Sequence, residues 1–132
     1  MLVQPFQDDI LSIGEDTLML FAGRFTHAVR KVAQPGDFRV QDDHDGTVHA
    51  LQTMEEQVAL DERAFAACRP LPLYGRVDMG RHNSRRLAIM ELELIEPELW
   101  LRFHPPAAAH FADGVTASLD SAWFYSFPTS PT

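Results

Sequence analysis

One cysteine and one lysine occur in 132 residues, and both scarcities limit what the chain can do. A lone Cys68 closes no internal disulfide, and in its alanine-rich surroundings it reads as a small buried thiol rather than a nucleophile. Lys31 is the single lysine beside ten arginines, and no glycine-rich phosphate loop of the G-x-x-x-x-G-K-[ST] kind is present. Neither a run of about 18 apolar residues nor a basic-then-apolar N-terminus occurs, so no membrane span or signal peptide is expected and the expected location is the cytoplasm. Eleven basic residues against 19 acidic ones give a formal charge of -8, the wrong sign for a nucleic-acid surface. The remaining histidines, His44, His49, His82, His104 and His110, have no shared zinc-ligand spacing. "DDHDG" lacks a glutamate at calcium-loop distance and reads as a solvated turn.

What is present is an ordinary globular balance, 45% hydrophobic and 23% charged, in a chain long enough for one core. "MLVQPF" reads as an apolar strand at the first residue, and "QDDILSIGED" as turn-rich. "TLMLFAG" and "RFTHAVRKV" read as strands joined by a hairpin at Ala22-Gly23, followed by a loop broken at Pro35-Gly36 and a short strand "TVHAL". Thr53 with Glu56 forms a capping-box signature, so the spacing predicts a helix over 54–68. "LYGRVDMG" and "RLAIMELELI", linked by "RHNSR", read as the clearest strand pair. Prolines before alanines in "HPPAAAHFADGV" predict a second helix over 105–119, and Trp100, Trp123 and Phe124 read as packing residues. The expected class is α+β, a mainly antiparallel sheet with two helices packed against it.

The strand pair carries the chemistry. Side chains alternate, so Glu91 and Glu93 share one face while Met90, Leu92 and Leu94 share the other; Tyr74, Arg76 and Asp78 likewise oppose Leu73, Val77 and Met79. With the polar faces matched, the expected register sets Asp78 opposite Ile89 and Arg76 opposite Glu91, which makes Asp78 a diagonal neighbour of Glu91. Three gathered carboxylates need water, a base or a cation. Two readings stand at this point: the wet face of a half-exposed sheet with Arg76 partnering Glu91, or a site for a hard divalent cation such as Mg²⁺.

"YGRVDMG", "LAIMELELIEPELWLRFHPPAAAHFADGV" and "GRFTHAVRKVAQPGDFRVQ" resemble the carboxyl-terminal part of ATP-grasp ligases, in the branch of RimK-like and prokaryotic glutathione-synthetase-like proteins. The resemblance covers roughly residues 2–114; the tail after Val115 has no counterpart. It implies that Asp78 and Glu91 are Mg²⁺ ligands. Glu93 stands where many members carry asparagine, an added charge that still offers a metal oxygen. It implies that Arg39 faces the nucleotide phosphates or the acyl-phosphate intermediate as the catalytic arginine, a role suited to a fork that donates two hydrogen bonds at once. Gln4 and Phe6, in "VQPF", match a hinge segment that borders adenine, and the strand bearing His27 and Lys31 borders the nucleotide cleft. The implied chemistry is an acyl-phosphate made from a carboxylate and ATP and then attacked by an amine or thiol. The implied cofactors are ATP and Mg²⁺, as one or two ions, with Mn²⁺ as a substitute.

The same resemblance sets the expected organisation: a partial ATP-grasp domain over 1–115 that starts at the hinge, and a C-terminal tail over 116–132. The covering lysines and glycine-rich loop of the family are missing, so the chain reads as a fragment, from truncation, a misplaced start codon or a split enzyme. Expected partners are the missing half or a second copy, a small carboxylate and its acceptor, and neither nucleic acid nor membrane. The competing reading is a noncatalytic interaction module.

Overall fold

The computed structural model describes residues 1, 3, 5–34 and 46–125, the last five as backbone alone. Helix α1 (Asp9–Ser12) precedes β1 (Glu15–Phe21) and β2 (Arg24–Val32); β3 (Thr47–Leu51), α2 (Glu55–Ala66), β4 (Tyr74–Arg81) and β5 (Leu87–Glu93) follow. A 3₁₀ turn (Leu101–Phe103) then leads into α3 (Ala107–Tyr125). The five strands make one antiparallel sheet in the order β3-β2-β1-β4-β5. The α+β class and both longer helices are as expected; α1 is an addition, a single turn formed by residues read as a turn. Among the described residues no helix is long and apolar enough to cross a membrane.

The β1–β2 hairpin turns on Ala22 at φ 50° and Gly23 at φ 80°. Two successive positive φ values are what a two-residue turn needs to match the strand twist. Alternation then sorts the side chains. Leu18, Leu20, Ala28, Val77 and Met79 point to one face, where Phe65 of α2 closes the core. Gly75 makes this closure possible, because a Cβ there would lie 2.6 Å from the Phe65 ring and 2.7 Å from Leu94.

Helix α2 starts one residue later than the Thr53–Glu56 pairing implies. Gln57, not Glu56, reaches back: its Oε1 accepts from the backbone N–H of Met54 at 2.9 Å while its amide donates to Asp16 Oδ2 at 2.7 Å. The buried residue ties both helix and sheet, which the exposed glutamate cannot do.

"MLVQPF" is not a strand at its described residues, Met1, Val3, Pro5 and Phe6. Pro5 has no N–H for a ladder. The β4–β5 turn holds the segment instead: Asn83 Nδ2 donates to Phe6 O at 2.9 Å, Asn83 N to Gln7 Oε1 at 2.9 Å, and Asp8 N to Asn83 Oδ1 at 3.1 Å. Helix α3 outruns the expected end at 119 and continues unbroken past residue 115.

Candidate functional site

The second face of the sheet carries the polar groups. Cross-strand pairing sets Glu15 opposite Lys31, and aligns Thr17, Asp78 and Glu91 in one row across β1, β4 and β5. A neighbouring row runs His27, Met19, Arg76 and Glu93 across β2, β1, β4 and β5. The expected register is therefore corrected. Asp78 faces Glu91 rather than Ile89, and Arg76 faces Glu93 rather than Glu91, because Met79 pairs with Ile89 and Met90 is an extra residue on β5. Such a bulge re-aims the residues beyond it, and here it draws the acids closer than simple alternation does.

Arg76 ties the acids together. Its Nε donates to Asp78 Oδ1 at 3.0 Å and its Nη2 to Asp78 Oδ2 at 2.9 Å, with Glu93 Oε2 at 2.6 Å and Glu91 Oε2 at 3.9 Å. Behind this pair, Lys31 Nζ lies 2.9 Å from Glu15 Oε2 and 3.1 Å from Asp78 Oδ2. Asp78, Lys31 and Glu15 are buried, whereas the Glu91 side chain is 58% exposed. Burial, and then Asp78, push the Glu15 carboxyl up against the opposing pull of Lys31. Burial opposes the charge on Arg76, yet Asp78 and then Glu93 and Glu91 hold it above its usual range. Thr17 Oγ1, also buried beside Asp78, has no partner among the described residues.

Among the described residues four carboxylates share this face with two bases, so two negative charges there have no counter-charge from a described residue. Among the described residues no three His, Cys, Asp or Glu side chains converge tightly enough to hold a metal by themselves. The donor set fits a hard cation that takes one or two carboxylates and completes its shell elsewhere, with Glu91 and Glu93 as the reachable oxygens. Asp78 is less available, since both its oxygens already accept from Arg76 or Lys31.

Of the residues singled out from the sequence, Asp78, Glu91, Glu93 and Lys31 come together. His27 ends the adjacent row, buried, with its Nε2 3.0 Å from Leu99 O. Phe6 sits apart beside the β4–β5 turn, and Gln4 and Arg39 lie outside the described residues. Sequence reasoning missed Glu15 and gave Arg76 only a pairing role. The signal for Glu15 was available: it has the same parity on β1 as Thr17 and Met19, and its partner across the hairpin is Lys31. A cavity of about 540 Å³ lies between the hairpin tip and α3, lined by residues such as Phe21, Arg24, His110 and Asp113. No residue of the acidic cluster lines it.

No protein-family model matches the sequence. The chain is 33% identical to the cycloserine biosynthesis protein DcsG of Streptomyces lavendulae, over 89% of this chain and 42% of that protein. The crystal structure of D-cycloserine synthetase DcsG superposes with a TM-score of 0.72 at 30% identity, covering 88% of this chain and 41% of that one. The ATP-grasp ligase PsnB, in a complex with a precursor variant, Mg and ADP, gives 0.54 at 19% identity over 79% of this chain and 34% of its own. The protein carries part of an ATP-grasp ligase fold. D-alanine–D-alanine ligase from Bacillus anthracis, complexed with ATP, agrees in fold with a TM-score of 0.52 at 16% identity, over 84% of this chain and 38% of that one. The ATP-grasp chain thus spans about two-fifths of the length of DcsG.

Proposed function

We propose that this chain supplies the Mg·ATP-binding wall of an ATP-dependent ligase that joins a carboxylate to an amine or thiol through an acyl-phosphate. The rest of an ATP-grasp fold completes the reaction. The observation that carries the reading is the excess of two negative charges among the described residues around the Asp78–Glu91 and Arg76–Glu93 pairs, in a chain 33% identical to DcsG. A sheet face that only needed to be wet would not bury Asp78, Lys31 and Glu15 beneath its exposed acids.

In this reading Glu91 and Glu93 would hold magnesium, and Asp78, fixed by Arg76 and Lys31, would support them from within. The chemistry a magnesium ion held there would supply is positive charge to offset that of the transferred group. Arg76, whose Nη2 lies 2.6 Å from Glu93 Oε2, would offer its planar fork to phosphate oxygens. Gln4 and Phe6 at the adenine edge and Arg39 at the transferred phosphoryl complete the set implied by the resemblance. Lys31 and His27 act from buried positions. One wall does not position both substrates of a phosphoryl transfer, so ligase turnover belongs to the complete fold.

Calorimetry of the chain with Mg²⁺ and a nonhydrolysable ATP analogue tests this. Binding heat that disappears in Asp78→Asn and Glu91→Gln supports it, and a silent wild-type chain overturns it. A second reading, an interaction module, is favoured by one feature: Met1, Val3, Phe6 and Leu11 expose large apolar side chains near one another in sequence. Nucleotide silence together with self-association or partner capture would support that reading instead.

A further inference from the structure

β2 contains a bulge that gives His27 an unusual set of neighbours. Met19 pairs with His27 and Leu20 with Phe25, so Thr26 is the extra residue. The Thr26 hydroxyl lies 3.1 Å from Met19 O and 2.9 Å from His27 Nδ1. On the other side of the ring, His27 Nε2 lies 3.0 Å from Leu99 O.

Leu99 O accepts only, so Nε2 carries the ring proton. A neutral ring then presents a bare Nδ1 to Thr26, whose one proton is contested between Nδ1 and Met19 O. Burial, despite the Leu99 bond, lowers the His27 pKa, and stacking on His104 at 5.5 Å between centroids works in the same direction. The ring is therefore neutral at pH 7, with its tautomer fixed by the carbonyl it touches.

That carbonyl belongs to a strap, residues 94–100, which leaves β5 directly after Glu93. Glu96 and Trp100 in it adopt φ of 54° and 51°, a conformation that non-glycine residues hold only when other interactions fix it. Trp100 packs on Met19 and Val29, and its backbone N–H donates to Glu98 Oε1 at 2.9 Å. The strap departs from one end of the His27–Met19–Arg76–Glu93 row and is fastened at the other end. The row crosses four strands, so three strand spacings, about 14 Å, separate those ends.

We propose that His27 is a positioning residue: by donating Nε2–H to Leu99 O it clasps the strap across this row and fixes where Arg76 and Glu93 stand toward a bound divalent cation. The proposal rests on the metal reading above. It assigns His27 a task distinct from contact with phosphate.

The test is nuclear magnetic resonance on the whole chain. Long-range ¹⁵N–¹H correlations are expected to show the His27 proton on Nε2 near pH 7; a proton on Nδ1 overturns the clasp. Mg²⁺ alone is then titrated against carboxylate-labelled glutamates. His27→Gln keeps a donor near the Nε2 position and is expected to bind within about twofold of wild type. His27→Leu, with amide dispersion unchanged, is expected to bind about fivefold more weakly, the loss typical of one buried hydrogen bond. Equal affinity in His27→Leu overturns the proposal, and if that variant does not fold, the wild-type tautomer and His27→Gln decide. A wild-type chain silent to Mg²⁺ sinks the metal reading separately. The clasp is then judged on the Arg76 Nε resonance, which moves in His27→Leu only if the strap holds the row.

Discussion

The Lys31 ammonium lies 3.1 Å from Asp78 Oδ2, with both side chains almost closed to water, at 7% and 1% exposure. Glu15, at 2.9 Å, shares the same nitrogen. Removing the cation leaves two buried carboxylates with Arg76 as the one base near them among the described residues. Lys31→Met is therefore expected to destabilise the chain by about 3 kcal/mol, the low end for a broken buried pair because Asp78 keeps Arg76. Urea unfolding checks it. Adding Glu15→Gln to Lys31→Met is expected to recover part of the loss, since one orphaned charge is then gone; a double variant no better than the single would sink this account.

Asp61 makes the pH dependence of stability unusual. It is fully buried on α2, and neither carboxyl oxygen has a partner among the described residues. Burial, with Glu62 next, pushes its pKa up from 3.8 to about 8. The unfolded chain has released this proton above about pH 4 while the native chain keeps it to about pH 8. The associated stability is fully present below about pH 4, falls as pH rises, and stops falling above about pH 8. Holding the proton at pH 7 costs the native state up to about 4 kcal/mol by linkage. Asp61→Leu is expected to raise the melting temperature at pH 7 and to flatten the decline between pH 4 and 8, as thermal melts across that range would show.

Gly75 links the core to the site. A methyl there meets Phe65 and Leu94 below 3 Å and Glu93 O at 3.2 Å. Gly75→Ala is expected to cost about 1–3 kcal/mol through overpacking. It also displaces the backbone at Glu93, so Mg²⁺ affinity is expected to fall more than stability alone predicts. A variant with weakened fold but wild-type Mg²⁺ binding would separate the two effects.

Much of this arrangement was legible in the residues. Period-two alternation through "GRVDMG" and "MELEL" marked Asp78, Glu91 and Glu93 as one face, because burial of Val77, Met79 and Leu92 enforces it. The register was not legible. Nothing in "LAIMELE" announces that Met90 is an extra residue, and a bulge is settled by packing against β4 rather than by local preference. The burial of Lys31 was not legible either: its ammonium is enclosed between Glu15 and Asp78, a long-range arrangement that no spacing within β2 encodes. Gln57 took the capping role from Glu56 because it also reaches Asp16, a long-range bond that no capping pattern encodes. "MLVQPF" has the apolar content of a strand but no ladder to join, and Asn83 settles its course.

That last element yields the most local of the predictions. Asn83 makes three hydrogen bonds to residues 6–8, all near solvent, where each one contributes only about 1 kcal/mol or less. Apolar burial does little to hold the segment, since Phe6 is 51% and Leu11 55% exposed. Asn83→Ala removes the two side-chain bonds, to Phe6 O and from Asp8 N, and is thus expected to loosen residues 6–8 without loosening the sheet. Amide exchange at Asp8 should accelerate about tenfold or more, while exchange in β1 and β4 and the urea midpoint stay close to wild type. If protection in β4 fell along with that of Asp8, the segment would be part of the cooperative core, and the exposed apolar residues would need a different explanation from a strip pinned at the edge of the β4–β5 turn.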